Sequence, residues 1–431
     1  MKEYLVKPNC NFFAEVDIPG SKSITSRALI LASLSENPVI LKNPLFSDDT
    51  LHMIECLMKL GNKIMISEDK RFIKIIGNKK REFGKKTLYV GNAGTVMRFL
   101  LAYVATGTGE ITLEGSSRMN LRPIQELVDS LRELGIKIEY LKESGFPPLR
   151  ITSTKTKKSV VKVSGANSSQ YLSAILLSAT CFNHDTEIIT TNKIISKSYV
   201  DTTINMIEDF GAKIKKTDNG FLVKKGKYNN VKGYVIEGDM SSASYFLAAA
   251  LITNSTIKLN NFFEDSIQGD SKILNILQGV GLEIIDRDDN SVTVKGCESY
   301  PGFSLDLNAT PDLVSTLATV ALFANTPSEL YNVANLRIKE SDRLFAIRTE
   351  IKNINGSATE FKDGLKIIPK ETKHYTGCSI ETYNDHRIAM SFALVGLRIP
   401  DIIITNATCV NKTFPGFFKE FENLYAGGID E

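Results

Sequence analysis

One motif occurs six times in this chain of 431 residues. Each copy starts with a polar stretch led by Gly or Asn and continues into a short, strongly apolar segment, as in GSKSITSRALILASL and NAGTVMRFLLAYVA. The copies start at residues 20, 92, 165, 238, 308 and 384, so successive starts are 70 to 76 residues apart. Repetition at a fixed interval of this length is typical of repeated supersecondary units.

A second, amphipathic segment follows each of the first five apolar segments and ends at a glycine. Glycine favours the left-handed conformation that closes many helices, so each segment is predicted to be a helix that stops there. Alternating stretches such as NKIMI come next and predict strands. The unit therefore contains strand, buried helix, strand, amphipathic helix, strand and strand. The five glycines are Gly61, Gly135, Gly211, Gly281 and Gly356.

The first helix of each unit is apolar almost all round, which predicts burial on every side. Three such helices inside a ring of sheets would satisfy this requirement, so the six units are expected to form two α/β domains of three units each. Pro and Gly at Ile18-Pro19-Gly20, and Gly at Glu237-Gly238-Asp239, favour hinges or crossovers at these two places. A single continuous solenoid of six units is the alternative architecture.

The composition excludes several classes of protein. Lys and Arg number 52 against 49 Asp and Glu, a formal charge of +3, which does not favour binding to nucleic acid or to an anionic membrane. Six cysteines without a CxxC pair fit a reducing compartment, and no signal peptide or membrane span is recognisable. Nucleotide-binding glycine motifs and G-x-S-x-G are missing. A cytoplasmic protein without a metal site is expected.

Positive side chains stand where helices are predicted to begin. The N-terminal end of a helix is already electropositive, so cations are disfavoured there unless an anion joins them. For any one of them, a solvated or ion-paired side chain is the ordinary alternative. Eight in the same position predict a ligand that carries several phosphates or carboxylates. They are Lys22, Arg27, Arg98, Arg122, Lys339, Arg343, Arg387 and Lys412.

Hydroxyl, amide and acidic residues occupy similar positions. Asp312 follows Pro311 at the head of an apolar helix and is a candidate general base, whereas Glu340 is either an acid or a salt-bridge partner of its neighbours. The polar residues could equally be helix caps, and capping is the preferred interpretation of the two adjacent aspartates. These other residues are Ser23, Thr95, Ser168, Ser169, Gln170, Ser196, the pair Asp48 and Asp49, Asp385, and His386 within NDHR.

Seven segments in series carry a resemblance to a known family. They are PGSKSITSRALILA (19–32), GNAGTVMR (91–98), RPI (122–124), SSQYL (168–172), NLRIKESDR (335–343), NDHRIAM (384–390) and KTFPGFF (412–418). Together they resemble the EPSP synthase family of enolpyruvyl transferases, the 3-phosphoshikimate 1-carboxyvinyltransferases, across nearly the whole chain. The resemblance implies a two-domain inside-out α/β barrel of six repeats. One domain would contain residues 1–18 and 239–431, the other residues 19–238, with the active site in the cleft between them.

The resemblance also implies an activity. Members of the family transfer the enolpyruvyl group of phosphoenolpyruvate to the 5-hydroxyl of shikimate 3-phosphate through a tetrahedral intermediate, with release of phosphate. This reaction belongs to the shikimate pathway, which leads to chorismate and the aromatic amino acids, and glyphosate inhibits it. The two small molecules would be the partners of a monomer that binds neither nucleic acid nor membrane. No metal or organic cofactor is implied.

The family pattern assigns roles to individual residues of this chain. Asp312 resembles the base for the attacking hydroxyl and Glu340 the acid for the methylene carbon, with Lys22 as a third catalytic residue that contacts both substrates. Shikimate 3-phosphate would contact Lys22, Ser23, Arg27, Ser168, Ser169, Gln170, Ser196, Asp312 and Lys339. Phosphoenolpyruvate would contact Lys22, Gly94, Arg122, Gln170, Arg343, Arg387 and Lys412. Supporting residues would be Asn92, Thr95, Tyr199, Asn335 and His386.

Two departures and two rival functions remain at this stage. Phe99 stands where proline is common in the family, and Ala309-Thr310 where His and Ile are usual. The sister family that uses UDP-N-acetylglucosamine carries a reactive cysteine shortly before its Arg-Pro, where this chain has Ser117 in GSSRMNLRP. A non-catalytic repeat protein that binds a phosphorylated ligand or RNA is the second rival. An RNA binder should show a basic stripe with interleaved aromatic residues, which this chain lacks.

Overall fold

A computed structural model describes residues 2–426 as alternating strands and helices. The strands are β1 Glu3–Val6, β2 Phe13–Asp17, β3 Val39–Lys42, β4 Lys63–Ile66, β5 Phe72–Ile76, β6 Glu82–Tyr89, β7 Thr108–Glu114, β8 Lys137–Tyr140, β9 Leu149–Thr154, β10 Val160–Val163, β11 Thr186–Thr190, β12 Ile214–Thr217, β13 Gly220–Val223, β14 Gly233–Val235, β15 Thr256–Asn260, β16 Glu283–Asp288, β17 Ser291–Lys295, β18 Ser304–Asp306, β19 Ser328–Tyr331, β20 Ser357–Phe361, β21 Gly364–Ile368, β22 Ser379–Ile380 and β23 Ile402–Thr405. The α-helices are α1 Lys22–Leu34, α2 Asp48–Lys59, α3 Gly94–Val104, α4 Gln125–Glu133, α5 Ser169–Ala179, α6 Lys197–Asp209, α7 Met240–Thr253, α8 Lys272–Gln278, α9 Val314–Ala321, α10 Arg343–Asn353, α11 His386–Gly396 and α12 Phe417–Ala426.

The predicted order strand, helix, strand, helix, strand, strand occurs five times between β2 and β21, and three of these repeats build a sheet from their own four strands. In the sheet β6-β7-β9-β8 the first two strands are parallel, and β9 pairs antiparallel with both β7 and β8. The sheets β10-β11-β13-β12 and β18-β19-β21-β20 follow the same rule. Within residues 2–426 the strands form six sheets, five with four strands and one with three.

Two strands belong to a sheet far from their position in the sequence. β2 precedes α1, yet it pairs parallel with β15, with Phe13 opposite Thr256. β14 precedes α7, yet it pairs parallel with β3, with Gly233 opposite Ile40. β2 thus takes the place beside β15 that β14 would take if each repeat built its own sheet. β14 takes the corresponding place beside β3. The three-stranded sheet is completed by β1, which pairs antiparallel with β23.

The chain divides into two compact units. Unit 1 contains Met1–Pro19 and Glu237–Glu431, and unit 2 contains Gly20–Ile236. The helices α1, α3 and α5 pack against one another in the interior of unit 2, and α7, α9 and α11 do so in unit 1. All residues from Ile24 to Leu34 of α1 are buried, as are all from Ser242 to Thr253 of α7. These apolar helices are thus the cores that the sequence predicted.

The helix ends agree with the predicted glycines in four cases out of five. Gly61, Gly135, Gly211 and Gly281 have positive φ angles between 90° and 126°. Gly356 does not, because Asn355 takes the left-handed conformation with φ 59°. The amide of Gly356 instead donates to the carbonyl of Ile351 at 2.8 Å. Asn tolerates this conformation better than most residues, so the helix stops one residue earlier than predicted.

Three predicted helix starts were wrong. Arg122 follows a short 3-10 helix at Met119–Leu121, and α4 begins only at Gln125, three residues after it. Lys339 follows the 3-10 helix Ala334–Ile338, and Lys412 ends the 3-10 helix Ala407–Lys412. Tight 3-10 turns before a helix are common, and sequence periodicity does not distinguish them from the helix itself. Within residues 2–426 no helix has both the length and the apolar character required to cross a membrane.

Two glycines permit a close backbone approach at equivalent places in the two units. A Cβ on Gly20 would lie 2.1 Å from the carbonyl oxygen of Asn43, and one on Gly238 would lie 1.8 Å from that of Asn261. Neither glycine has a positive φ, so the missing side chain, and not a special conformation, is what the backbone requires.

We therefore expect Gly238→Ala to lower the free energy of unfolding by about 1–3 kcal/mol, because the backbone of unit 1 must shift to accept the methyl group. Urea unfolding of the purified protein measures this change. Gly279→Ala is the matched control in the same unit, since its Cβ would meet nothing closer than 3.4 Å. An unfolding midpoint for Gly238→Ala equal to that of wild type would contradict the expectation.

Candidate active site

Arg27 is the most enclosed cation of unit 2. Its guanidinium donates to the hydroxyls of Ser23 at 2.6 Å and Thr203 at 2.8 Å, and to the carbonyl of Tyr199 at 3.0 Å. It also lies over the ring of Phe99, 5.4 Å from the centroid. Burial lowers the pKa of Arg27 to about 10. These partners are neutral, so they hold the guanidinium in place without cancelling its charge.

A second group of contacts joins the starts of α3 and α5. Arg98 donates to the side-chain oxygen of Gln170, and the amide nitrogen of Gln170 donates to the hydroxyl of Thr95 at 3.0 Å. Arg122 donates to the carbonyl of Asn92 at 3.0 Å. Gly94 lies against both arginines. A Cβ there would be 2.7 Å from one nitrogen of Arg122 and 2.9 Å from one of Arg98.

The remaining predicted residues of unit 2 lie at the starts of α1, α5 and α6. Lys22 is the first residue of α1, and its Nζ is 3.6 Å from the carboxylate of Asp49. The hydroxyl of Ser168 caps α5 by accepting from the amide of Gln170, and Ser169 is the first residue of that helix. Ser196 precedes α6 with φ 51° and does not cap it with its side chain. We name this set the unit 2 cluster: Lys22, Ser23, Arg27, Asn92, Gly94, Thr95, Arg98, Arg122, Ser168, Ser169, Gln170, Ser196 and Tyr199.

The capping role predicted for Asp48 and Asp49 was wrong. Ser47 is the residue before α2, and its amide donates to the hydroxyl of Thr50 at 2.8 Å. The two aspartates lie within the first turn, where the helix dipole favours negative charge. Asp49 is buried and forms the ion pair with Lys22.

Unit 1 contains a network of charges around Arg343, whose side chain is 2% exposed. Its guanidinium donates to Asp385 at 2.8 and 3.2 Å, to Asp312 at 3.0 Å and to Glu340 at 2.9 Å. Burial by itself would lower the pKa of Arg343, but the carboxylates of Asp385, Glu340 and Asp312 raise it above its ordinary value. Arg343 therefore stays charged and fixes the positions of three acids.

Two further cations approach the same acids. Arg387 donates to Asp312 at 2.7 Å, so this carboxylate bridges two arginines, one on each oxygen. Lys412 lies 3.8 Å from Glu340, on the oxygen that Arg343 does not use. We name Asp312, Glu340, Arg343, Asp385, Arg387 and Lys412 the unit 1 cluster. It brings together both predicted acid–base residues and three of the predicted phosphoenolpyruvate contacts.

A fourth carboxylate of unit 1 is linked to this cluster. The hydroxyl of Ser241 donates to buried Asp270 and accepts from Arg387 at 3.4 Å. Burial, and then the negative charge of Asp312, raise the pKa of Asp270 to about 7. A third polar contact of Arg387, after those with Asp312 and Ser241, goes to the hydroxyl of Tyr245 at 3.3 Å.

The other predicted residues of unit 1 lie close to the cluster in sequence. His386 is buried as the first residue of α11, with Nδ1 3.7 Å from Asp385. Asn335 lies within the 3-10 helix Ala334–Ile338. Lys339 directly follows this helix and precedes Glu340. Within residues 2–426, no group of three or more His, Cys, Asp or Glu side chains could hold a metal ion.

Comparison with known proteins identifies the family. The family model for EPSP synthase (3-phosphoshikimate 1-carboxyvinyltransferase) matches residues 6–421. A 3-phosphoshikimate 1-carboxyvinyltransferase from Escherichia coli O6:H1 is 39% identical over 99% of this chain and 100% of that protein. The chain belongs to the EPSP synthase family. A family relative with the same name from Sulfurovum sp. is 38% identical over 98% of this chain and 99% of its own length.

Solved EPSP synthase structures agree on the fold. Two from Acinetobacter baumannii each cover 99% of this chain and 98% of their own, with TM-scores of 0.80 and 0.78. Their sequence identities are 24% and 23%, so this likeness concerns the fold alone. The predicted α/β fold class of the EPSP synthase family is thereby confirmed.

The structure also locates the departures from the family pattern. Phe99 is buried, and its ring lies against the guanidinium of Arg27. Thr310 is buried next to the 3-10 helix that contains Asp312. Sequence reasoning missed Thr203, Ser241 and Asp270, because no local pattern distinguishes them from other polar residues of buried helices and turns. Asp385 was noticed only as a residue at a helix start.

Proposed function

We propose that this protein transfers the enolpyruvyl group of phosphoenolpyruvate to the 5-hydroxyl of shikimate 3-phosphate. The observation that carries the proposal is that Asp312 and Glu340 accept hydrogen bonds from the two different terminal nitrogens of Arg343, in a member of the EPSP synthase family. A base and an acid held by the same cation, with two more cations beside them, match a reaction that moves two protons and handles a phosphate.

The unit 2 cluster is proposed to bind shikimate 3-phosphate. Ser168 and Ser169 place hydroxyls and backbone amides at the start of α5, where phosphate binds well. Arg27, Ser23 and Ser196 would add a buried cation and two more hydroxyls. Because the two hydroxyls and the carbonyl that bind Arg27 are neutral, its charge is available to attract an anion.

Phosphoenolpyruvate is proposed to bind the cations that now hold the acids. Its phosphate and carboxylate would interact with Arg343, Arg387 and Lys412 and so replace Asp312 and Glu340 as partners of these cations. Arg122 and Arg98, which both lie next to Gly94, would supply further donors. Substrate binding would then release the two carboxylates for proton transfer, and the negative charge of the substrate would favour protonation of Glu340.

The proposed chemistry needs only these groups. Asp312 accepts the proton of the 5-hydroxyl while the hydroxyl oxygen forms a bond to the enol carbon. Glu340 gives a proton to the methylene carbon, which becomes a methyl group. The tetrahedral intermediate then loses phosphate while the carboxylate of Glu340 takes back one methyl proton, which restores the double bond, and the departing phosphate takes up the proton held by Asp312. Lys22 would stabilise charge on both substrates from the start of α1. The whole-chain match to EPSP synthase does not favour the UDP-N-acetylglucosamine enzyme or a non-catalytic binder. Monomeric state and cytoplasmic location stay predictions.

The first test is the release of phosphate from phosphoenolpyruvate. We expect release only when shikimate 3-phosphate is also present, and we expect Asp312→Asn to reduce turnover by about 10²–10⁴-fold, because the amide cannot accept the proton. The variant should still bind shikimate 3-phosphate, which calorimetry measures. Asp306→Asn is the matched control, an exposed aspartate of the same unit, and should keep full turnover. Release without shikimate 3-phosphate, or wild-type turnover in folded Asp312→Asn, would contradict the proposal.

The second test concerns Gly94. A methyl group there would meet the guanidinium groups of Arg122 and Arg98, so Gly94→Ala should displace them. We expect the KM for phosphoenolpyruvate to rise about tenfold or more, since hydrogen bonds between charged groups are worth about 1.5–3 kcal/mol. Glyphosate is longer than phosphoenolpyruvate, so its inhibition should weaken by a larger factor. The affinity for shikimate 3-phosphate should change little.

Steady-state kinetics measure these changes, and thermal unfolding shows whether the fold is intact. Gly226→Ala is the control, because its Cβ would have nothing nearer than 3.6 Å. An unchanged KM and unchanged inhibition in stable Gly94→Ala would remove this loop from the site.

A further inference from the structure

Glu350 is a buried carboxylate of unit 1 that the proposed reaction does not use. It lies on α10, seven residues after Arg343, and is 0% exposed. Its two oxygens accept hydrogen bonds from the hydroxyl of Tyr383 at 2.7 Å, the side-chain amide of Asn353 at 3.1 Å and the backbone amide of Glu381 at 3.3 Å. Two of these three donors belong to the segment that leads into α11.

That segment contains an unfavourable turn. Tyr383 and Asn384 are consecutive and both left-handed, with φ 54° and 53°. Asn adopts this conformation readily, but a bulky residue such as Tyr seldom does. Such a conformation persists only where the surrounding contacts impose it. The next residue is Asp385, whose carboxylate caps α11 and binds Arg343.

The contacts that impose the turn come largely from α10. The hydroxyl of Tyr383 is bound by Glu350, and its ring meets that of Phe345 edge-on at 6.4 Å. Its amide donates to the side chain of Glu381 at 2.9 Å, and the amide of Glu381 donates to Glu350. α10 therefore holds residues 381–385 at two points, with Glu350 on the turn and Arg343 on the carboxylate that follows it.

We infer that Glu350 is a positioning residue: it maintains the left-handed turn at Tyr383 and Asn384, and thereby places Asp385, Arg343 and Arg387 for phosphoenolpyruvate. The inference rests on the proposed function. The inference differs from a purely structural role in what it predicts. Loss of a contact that only stabilises the fold would lower the thermal midpoint without a selective change in the KM for phosphoenolpyruvate.

Two single variants test the contact from both sides. Glu350→Gln replaces one of the two acceptor oxygens by an amide that faces donors, and Tyr383→Phe removes only the hydroxyl. We expect each to raise the KM for phosphoenolpyruvate about three- to thirtyfold, as loss of a hydrogen bond to a buried charge does. The dissociation constant of shikimate 3-phosphate should stay within about twofold of wild type, because that substrate is assigned mainly to the unit 2 cluster.

Tyr375→Phe is the matched control. The hydroxyl of Tyr375 donates to the carbonyl of Leu322 at 2.7 Å, elsewhere in unit 1. Its loss should lower the thermal midpoint but leave the KM for phosphoenolpyruvate unchanged. If Glu350→Gln does not fold, Tyr383→Phe alone decides the question, since it keeps the ring and its packing.

A double variant tests the strained turn itself. Glycine adopts the left-handed conformation without steric cost. Adding Tyr383→Gly to Glu350→Gln should therefore reverse a large part of the increase in the KM for phosphoenolpyruvate. A KM equal to wild type in Glu350→Gln and Tyr383→Phe, or a double variant no better than Glu350→Gln, would overturn the inference. A wild-type protein that does not transfer enolpyruvate would overturn the proposed function and this inference together, whereas active wild type with unaffected variants overturns the inference alone.

Discussion

In unit 1 the guanidinium of Arg343 is almost completely buried, so protein groups must replace the water that would otherwise solvate its charge. Removal of such a charge from water is costly unless several well-placed acceptors replace the solvent. Three carboxylates do so, from a 3-10 helix before α9, from the loop before α10 and from the start of α11. The positions of these three elements thus depend on a single side chain. The contacts that compensate for the burial of Arg343 also position the acids proposed for the reaction.

Unit 2 treats its most buried arginine differently. Arg27 is held by hydroxyls and a carbonyl, and a phenylalanine ring faces its guanidinium. Burial lowers its pKa to about 10, still well above neutrality, so it remains a cation. The two clusters therefore differ chemically: one holds the acids that are proposed to transfer protons, and the other keeps positive charge near hydroxyls that are proposed to bind a phosphate.

The sequence predicted most of what depends on local order. The period near 73 residues, the apolar helices and the glycines at helix ends are all local patterns. The exchange of β2 and β14 could not be predicted from the pattern of the units, because it depends on pairing across more than 190 residues. The role of Asp385 depends on the position of Arg343, 42 residues earlier, and on a left-handed turn at Tyr383 that no propensity favours.

The central claim is that the buried cations and helix starts are arranged for anionic substrates, and a crystal structure with shikimate 3-phosphate tests it most directly. The account predicts phosphate oxygens within hydrogen-bond distance of the hydroxyls of Ser168, Ser169 and Ser196 in the unit 2 cluster, with the ring nearer to Arg27. Shikimate 3-phosphate bound away from this cluster, with the present side-chain contacts of Arg27 and Ser168 unchanged, would contradict it.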